Sequence, residues 1–110
     1  MESNMKSIIV SIAVAASLAF AGSAMSADMP TLAKKDGCAN CHTIDQKLVG
    51  PAWQDIANKY KDDTTAADKL GAKVAKGSSG VWGAVPMPAQ HKVSEADIKE
   101  LVAFILGLAK

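Results

Sequence analysis

After the first 27 residues, apolar side chains recur mainly every three or four positions, which is the period of an amphipathic helix. The pattern predicts helices over residues 30–35, 53–60 and 66–76, and a last helix that begins after Ser94. Ser94 and Asp97 form a capping pattern at the start of that helix. Its apolar stripe consists of Ile98, Leu101, Val102, Ile105 and Leu108.

No stretch of the chain alternates apolar and polar residues with the period of a strand. Residues 77–88 contain three glycines and two prolines, so we expect no regular element there. Thr65 is a candidate N-cap for the helix over residues 66–76. The expected fold class is therefore all-α.

The N-terminal segment has the layout of a secretory signal peptide. Lys6 precedes a nearly uncharged apolar run over residues 7–24, and small residues follow it. The prediction is a signal peptide over residues 1–26, with cleavage near Ser26/Ala27, and one domain over residues 27–110. An uncleaved membrane anchor is the alternative, because about 20 apolar residues can span a bilayer. The small residues, and the lack of positive charge beyond the run, favour cleavage and no lasting membrane insertion.

Composition narrows the class of protein. All 12 basic residues are lysines, and 11 acidic residues leave a net charge of +1 over the 110 residues, which disfavours nucleic-acid binding. No strand–glycine-loop–helix unit of Rossmann length is present. The domain has only four aromatic residues, Trp53, Tyr60, Trp82 and Phe104. A domain this small usually needs a further stabilising component, so we expect something other than side chains to fill the core.

The candidate chemistry lies in Cys38-Ala39-Asn40-Cys41-His42, which has the spacing for covalent attachment of c-type haem. On a helical turn, side chains three and four positions apart share a face. Cys38 and Cys41 can therefore reach two vinyl groups along one edge of a haem, and His42 can reach the iron from the same side.

Two other sites could use the same thiols. A thioredoxin-like dithiol would need a strand-to-helix junction in an α/β domain, and no strands are predicted. A structural zinc site would need four ligands, and only His91 could complete the set. Covalent haem is the interpretation that the exported, strand-free chain favours.

The second axial ligand is less directly specified. Met87 lies between Pro86 and Pro88, whose fixed φ angles would hold a sulfur in place for a weak bond to iron. Met87 could instead fill a gap in the core, as methionines often do. His91 would give a bis-histidine iron, whereas Met29 lies on the attachment side and is expected to pack or to be disordered.

Three segments together resemble the small bacterial class I cytochromes c of the c-551/c-552 type. They are the Cys38–His42 motif, Val49-Gly50-Pro51-Ala52-Trp53 and the loop over residues 76–88. The resemblance implies four to five short helices around one covalently bound haem c. One departure is that Leu32 and Ala33 stand where some members have a large aromatic residue.

The resemblance also assigns roles residue by residue. Cys38 and Cys41 match the thioether cysteines, and His42 and Met87 match the axial iron ligands. Pro51 matches a proline whose carbonyl accepts a hydrogen bond from the histidine, and Trp82 matches a tryptophan near a haem propionate. Contact between the first and last helices is expected from Gly37, Leu101 and Ile105.

An iron with both axial positions filled by protein has no open position for a substrate. We therefore expect a monomeric one-electron carrier, not an enzyme, in the periplasm of a Gram-negative bacterium. The resemblance implies redox partners such as a terminal oxidase, a nitrite reductase, a peroxidase or a cytochrome bc-type complex. Lys47, Ala39 and Asn40 are candidates for the exposed haem edge. The alternative is a gas-binding or sensing haem protein, or a small peroxidase, in which Met87 is displaced.

Overall fold

The computed structural model describes residues 28–110, so the predicted signal segment lies outside the described residues. This part contains four α-helices and one 3₁₀ turn. They are α1 (Thr31–Lys35), the 3₁₀ turn (Cys38–Asn40), α2 (Trp53–Tyr60), α3 (Ala66–Lys76) and α4 (Glu95–Leu106). Two strands lie between α3 and α4, namely β1 (Ser78–Gly80) and β2 (Gly83–Met87). No helix of residues 28–110 is long and apolar enough to cross a membrane.

The start of α4 follows from its sequence. The Ser94 hydroxyl oxygen accepts a hydrogen bond from the Asp97 backbone N–H at 3.1 Å, which confirms the predicted cap. Val93 packs against the core on one side of the cap and Ile98 is buried on the other, as in a hydrophobic staple. The helix therefore enters the fold with its apolar stripe facing inward.

The core forms where α2 and α3 pack on α4. α1 also contacts α4, and the small side chain of Ala33 is completely buried there. Lys35 and Asp97 add an ion pair of 3.9 Å between these two helices. Contact between the first and last helices is thus confirmed without a large aromatic residue. The buried cluster is Ala33, Trp53, Ile56, Leu70, Ile98, Leu101, Val102 and Ile105.

The prediction that residues 77–88 form no regular element was wrong. β1 and β2 pair antiparallel, with Ser78 opposite Met87 and Gly80 opposite Gly83. Gly80 (φ +90°) and Gly83 (φ +113°) flank the turn in conformations that favour glycine. We predicted no strand partly because of these two glycines, but they are the residues that allow the chain to reverse direction. Residues 28–110 are thus helix-rich, with one small two-stranded sheet. We call β1, β2 and the turn between them the hairpin (residues 78–87).

Thr65 precedes α3 as predicted, but its side chain makes no capping hydrogen bond to the helix. Its hydroxyl donates instead to Asp63 Oδ1 at 2.7 Å, and its backbone N–H donates to the same oxygen. The charged carboxylate of Asp63 is a strong acceptor for both of these donors. Lys69 binds its other oxygen at 2.7 Å, and together these contacts lower the pKa of Asp63 to about 2.

Replacing Asp36 with asparagine should stabilise the protein near neutral pH. Asp36 Oδ2 is buried without a hydrogen-bond partner among residues 28–110. Burial, and then the Asp97 carboxyl beside it, raise the pKa of Asp36 above 3.8. The native state then binds a proton more tightly than the unfolded state, so this carboxyl costs stability as pH rises through its pKa. Asp36→Asn should raise the Tm near pH 7.

The advantage of Asp36→Asn should shrink as the pH falls through the raised pKa of Asp36. It should be gone below about 4, because the wild-type carboxyl is then protonated in both states. Thermal melts of both proteins across this pH range measure it. Asp62→Asn removes the same charge at an exposed position and serves as the control. A gain in Tm that is constant with pH would contradict the assignment.

Candidate cofactor site

A cavity of about 450 Å³ opens between α2, α3, α4 and the hairpin. This volume lies in the range of small-molecule and cofactor pockets. All six residues that the sequence singled out for the site line it, although they come from separate parts of the chain. They are Cys38, Cys41, His42, Pro51, Trp82 and Met87.

The two cysteines and the histidine are brought together by one tight turn. Gly37 has φ +83° and ends α1, and the Cys38 carbonyl oxygen then accepts hydrogen bonds from the backbone N–H groups of Cys41 and His42, at 3.1 and 3.0 Å. Cys38 and Cys41 are half-buried free thiols, whereas His42 is buried. The turn therefore presents two thiols and one imidazole to the same cavity.

The imidazole of His42 is fixed by a hydrogen bond to Pro51. Its Nδ1 lies 2.8 Å from the Pro51 carbonyl oxygen. A carbonyl oxygen can only accept, so Nδ1 must carry the proton and Nε2 keeps the free lone pair. This is the arrangement that orients a histidine for binding a metal through Nε2. The structure thus contains the hydrogen bond that the resemblance implied for Pro51.

Gly50 lets the loop lie directly against this imidazole. A Cβ at position 50 would stand 2.6 Å from His42 Cε1 and 3.0 Å from Nδ1, closer than real side chains approach. The Gly50 N–H also donates to the Cys41 carbonyl oxygen at 2.8 Å, which ties the loop to the cysteine turn. Gly50 therefore sets the position of the ring together with Pro51.

The free thiol of Cys38 is not activated as a nucleophile. Its burial, and then the charge of Asp36, raise the pKa of Cys38 above 9.0. A dithiol redox site works through a lowered thiol pKa. The shift is therefore opposite to the one that the thioredoxin-like interpretation requires.

Trp53 has a role that the sequence pattern did not indicate. Its apolar spacing predicted a core residue of α2, and it is buried. Its ring also stands 5.9 Å from the His42 ring and 6.0 Å edge-on from Phe104, and it lines the cavity. Trp53 therefore backs the imidazole and connects it to α4.

The hairpin forms another part of the cavity wall. Met87 ends β2 and is half-buried, whereas the other side chains of β2 are exposed. The hairpin brings its turn residue Trp82, which is 41% exposed, to the same cavity. Gly77, just before β1, has φ +84° and lies so close to the Met87 segment that a Cβ would stand 2.8 Å from the Met87 carbonyl oxygen.

The lining fits a flat apolar cofactor. Val49, Val81, Trp82 and Val85 are large apolar side chains that are exposed to solvent and also line the cavity. Apolar surface concentrated around one open cavity marks a binding site, because covering it is favourable. With two thiols, one oriented imidazole and one thioether in the same lining, the residues fit a covalently attached haem.

For other lining residues, the sequence predicted only a place in the hydrophobic core. Leu70 and Val74 of α3, and Leu101, Val102 and Ile105 of α4, line the cavity. Their apolar stripes were visible in the sequence, but a stripe does not distinguish a neighbouring helix from a cofactor. Lys73 and Asp55 also line the cavity and carried no sequence signal. Of the predicted residues of the haem edge, Lys47 lines the cavity and Ala39 and Asn40 do not.

The other two candidates for the second axial ligand, His91 and Met29, lie outside the cavity lining. His91 is exposed and is not part of the lining. Met29 is half-buried and packs against the helical core, as expected for a packing residue.

Comparison with known proteins agrees with this geometry. The family model described as Cytochrome c matches residues 26–109. Cytochrome c-551 of Allochromatium vinosum is 53% identical over 77 residues, which cover 70% of this chain and 82% of that protein. Cytochrome c-552 of Hydrogenobacter thermophilus is 49% identical over 77 residues, which cover 70% of this chain and 78% of that protein.

The crystal structure of wild-type Nitrosomonas europaea cytochrome c552 is similar in fold as well as in sequence. It aligns with a TM-score of 0.69 and 53% identity, and the match covers 70% of this chain and 95% of that one.

Proposed function

The chain belongs to the cytochrome c family, and from that premise we propose how its residues hold the haem and where it works. It has the class I cytochrome c fold, carries covalently attached haem c and is an electron carrier like its relatives. The haem supplies one-electron chemistry, because its iron alternates between Fe(II) and Fe(III).

Cys38 and Cys41 would form the two thioether bonds to the haem. Both thiols lie in one turn and face the same cavity, and neither forms a disulfide. The short spacing keeps the two attachment points close together, as two vinyl groups on one edge of a porphyrin require. Covalent attachment would also prevent the cofactor from dissociating.

His42 and Met87 would bind the haem iron. The observation that carries this assignment is the hydrogen bond of 2.8 Å from His42 Nδ1 to Pro51, which leaves Nε2 as the metal-binding atom. Met87 lies in the same cavity on the hairpin wall. Trp82, on the same wall, would pack at the haem propionates.

With both axial positions taken by side chains, this chain would offer no open position on the metal for a substrate. The apolar side chains of α3 and α4 would exclude water from the rest of the cavity. A His/Met ligand set raises the reduction potential, and limited access of water favours fast electron transfer. These features describe a carrier and not a catalyst. The relatives named cytochrome c-551 and c-552 support the carrier and not the gas-binding alternative.

A redox titration followed by visible spectroscopy tests this function. The purified haem protein should show one reversible one-electron step, and carbon monoxide added to the reduced form should bind slowly or not at all. Rapid binding of carbon monoxide would support a displaceable iron ligand and contradict the proposed function as an electron carrier. A colourless product would contradict the covalent haem.

The proposed compartment is the periplasm, with residues 1–26 removed on export. The apolar run after Lys6 and the small residues around Ser26 and Ala27 support it. The mass of the haem protein from a periplasmic extract should match a chain that begins at Ala27 or Asp28. A haem protein that retains residues 1–26 in the membrane fraction would contradict cleavage.

The partners would be redox proteins such as a terminal oxidase, a nitrite reductase, a peroxidase or a cytochrome bc-type complex. A net charge of only +1 predicts that docking depends modestly on salt. Lys47 lines the cavity and is exposed, so it would contribute to the docking surface at the haem edge.

Replacing Gly77 with alanine should destabilise the folded protein and displace Met87. Gly77 has φ +84° and ψ 166°, a conformation that is essentially restricted to glycine and costs about 1–3 kcal/mol for other residues. The new Cβ would also collide with Met87 O and with Ala89 N, at 2.8 and 3.0 Å. Both effects should lower the free energy of unfolding, measured with denaturant.

Gly83→Ala is the matched control, because Gly83 has φ +113° but no atom within 4 Å of a Cβ. We expect the sulfur-to-iron charge-transfer band to weaken in Gly77→Ala and to persist in Gly83→Ala. If both variants lost stability and the band equally, backbone strain alone would account for the effect. The collision with the Met87 segment would then be contradicted as its cause.

A further inference from the structure

Lys59 of α2 contacts the tryptophan of the hairpin. Its Nζ lies 5.8 Å from the centroid of the Trp82 ring. This is within the distance at which an ammonium is attracted to the face of an indole. Lys59 is exposed and is not part of the cavity lining, so the proposed haem binding does not by itself require it.

Within residues 28–110, the hairpin has few other attachments. α2 and α3 pack on α4, whereas β1 and β2 pack mainly on each other. Met87 is the only residue of β2 that is not exposed, and Val85 is 65% exposed. Beside the hairpin, the Gln90 N–H donates to the Val74 carbonyl oxygen at 3.0 Å. The chain that follows the hairpin is thus held to α3, whereas the turn residues Val81 and Trp82 are 43% and 41% exposed.

α2 is hydrogen-bonded to the segment of chain that carries His42. The N–H groups of Trp53 and Gln54 donate to the carbonyl oxygens of Thr43 and Ile44, each at 2.9 Å, directly after His42. α2 also packs on α4. A contact from Lys59 to Trp82 therefore connects the wall that carries His42 with the turn of the hairpin that ends at Met87.

We infer that Lys59 is a positioning residue whose ammonium holds Trp82, and with it the hairpin, against the α2 wall of the cavity. This goes beyond the proposed function and depends on it only where Met87 is taken as an iron ligand. An exposed cation–π contact changes an equilibrium by about two- to five-fold. The hairpin should open more often by that factor when the ammonium is removed.

The experiment compares Lys59→Met, Lys59→Arg and Lys99→Met in the haem-bound protein. Lys59→Met removes the charge and keeps a flexible apolar side chain with similar helix propensity. Lys59→Arg keeps a cation that can stack on the ring. Lys99→Met removes the same charge from an exposed position of α4.

Two measurements report the opening of the hairpin. Hydrogen exchange of the backbone amides of residues 78–87 should be about two- to five-fold faster in Lys59→Met, and unchanged in the other two variants. The rate at which imidazole binds the oxidised protein should rise by a similar factor, because the ligand enters when Met87 moves away.

Unchanged exchange in Lys59→Met, or equally faster exchange in Lys99→Met, would overturn the inference. Faster exchange with an unchanged rate of imidazole binding would support the contact and count against Met87 as the ligand. The failure of this inference is therefore distinguishable from the failure of the proposed function.

Discussion

Replacing both Cys38 and Cys41 with alanine should leave the exported protein essentially without covalently bound haem. These are the only two cysteines in the chain, and both face the cavity. Without thioether bonds, the haem would be held only by axial ligation and packing, and it could dissociate. Haem staining after denaturing electrophoresis, scaled to the amount of protein, measures the loss.

The same double variant should be much less stable than the wild type. Val49, Val81, Trp82 and Val85 line the cavity and are exposed to solvent, so the haem-free chain would lose the favourable burial of this apolar surface. A domain of this size buries too little apolar surface to be stable without a further component. We therefore expect the haem-free chain to be largely unfolded by circular dichroism.

Asn40→Ala is the control for the cysteine variants, because Asn40 lies in the same turn and is exposed. It should keep a near wild-type yield of covalent haem. A normal yield of covalent haem in the double cysteine variant would refute the attachment site. A cooperative, native-like melt of the haem-free protein would contradict the role of the haem in the core.

Replacing Met87 with alanine should have the second largest effect, on the redox site itself. The sulfur-to-iron charge-transfer band should disappear, because the thioether is gone. The reduction potential should fall by more than about 60 mV, the shift that a tenfold change in an equilibrium constant produces for one electron. Carbon monoxide or imidazole should then bind the iron readily, because an axial position is open.

Met87→Leu keeps most of the side-chain volume without the sulfur and separates ligation from packing. It should lose the charge-transfer band as completely as Met87→Ala and be more stable. Met29→Ala removes a methionine that packs on the helical core and should leave the band and the potential unchanged. An unchanged spectrum in both Met87 variants would remove Met87 from the site.

The helices were predictable because their signals are local. α2 and α3 have the predicted bounds, Trp53–Tyr60 and Ala66–Lys76, and α4 begins at the predicted Ser94 cap. The hairpin was missed because its strands are short, with exposed side chains and a proline in β2. Such strands show no period-2 alternation of buried and exposed residues. The turn residues of the hairpin, Val81 and Trp82, are also not typical of a two-residue turn.

The sequence alone determined the half of the site that lies within one turn of chain. Cys38, Cys41 and His42 are so close in sequence that local backbone geometry fixes their relation, and their spacing names the chemistry. The resemblance named Pro51, Trp82 and Met87, but only the tertiary structure shows that the packing of α2 and α3 on α4 brings these distant segments to one cavity. Only the folded chain shows Trp53 behind His42, Gly50 against the imidazole, and Lys59 over Trp82. Those contacts depend on distances between elements, which no periodicity along the chain encodes.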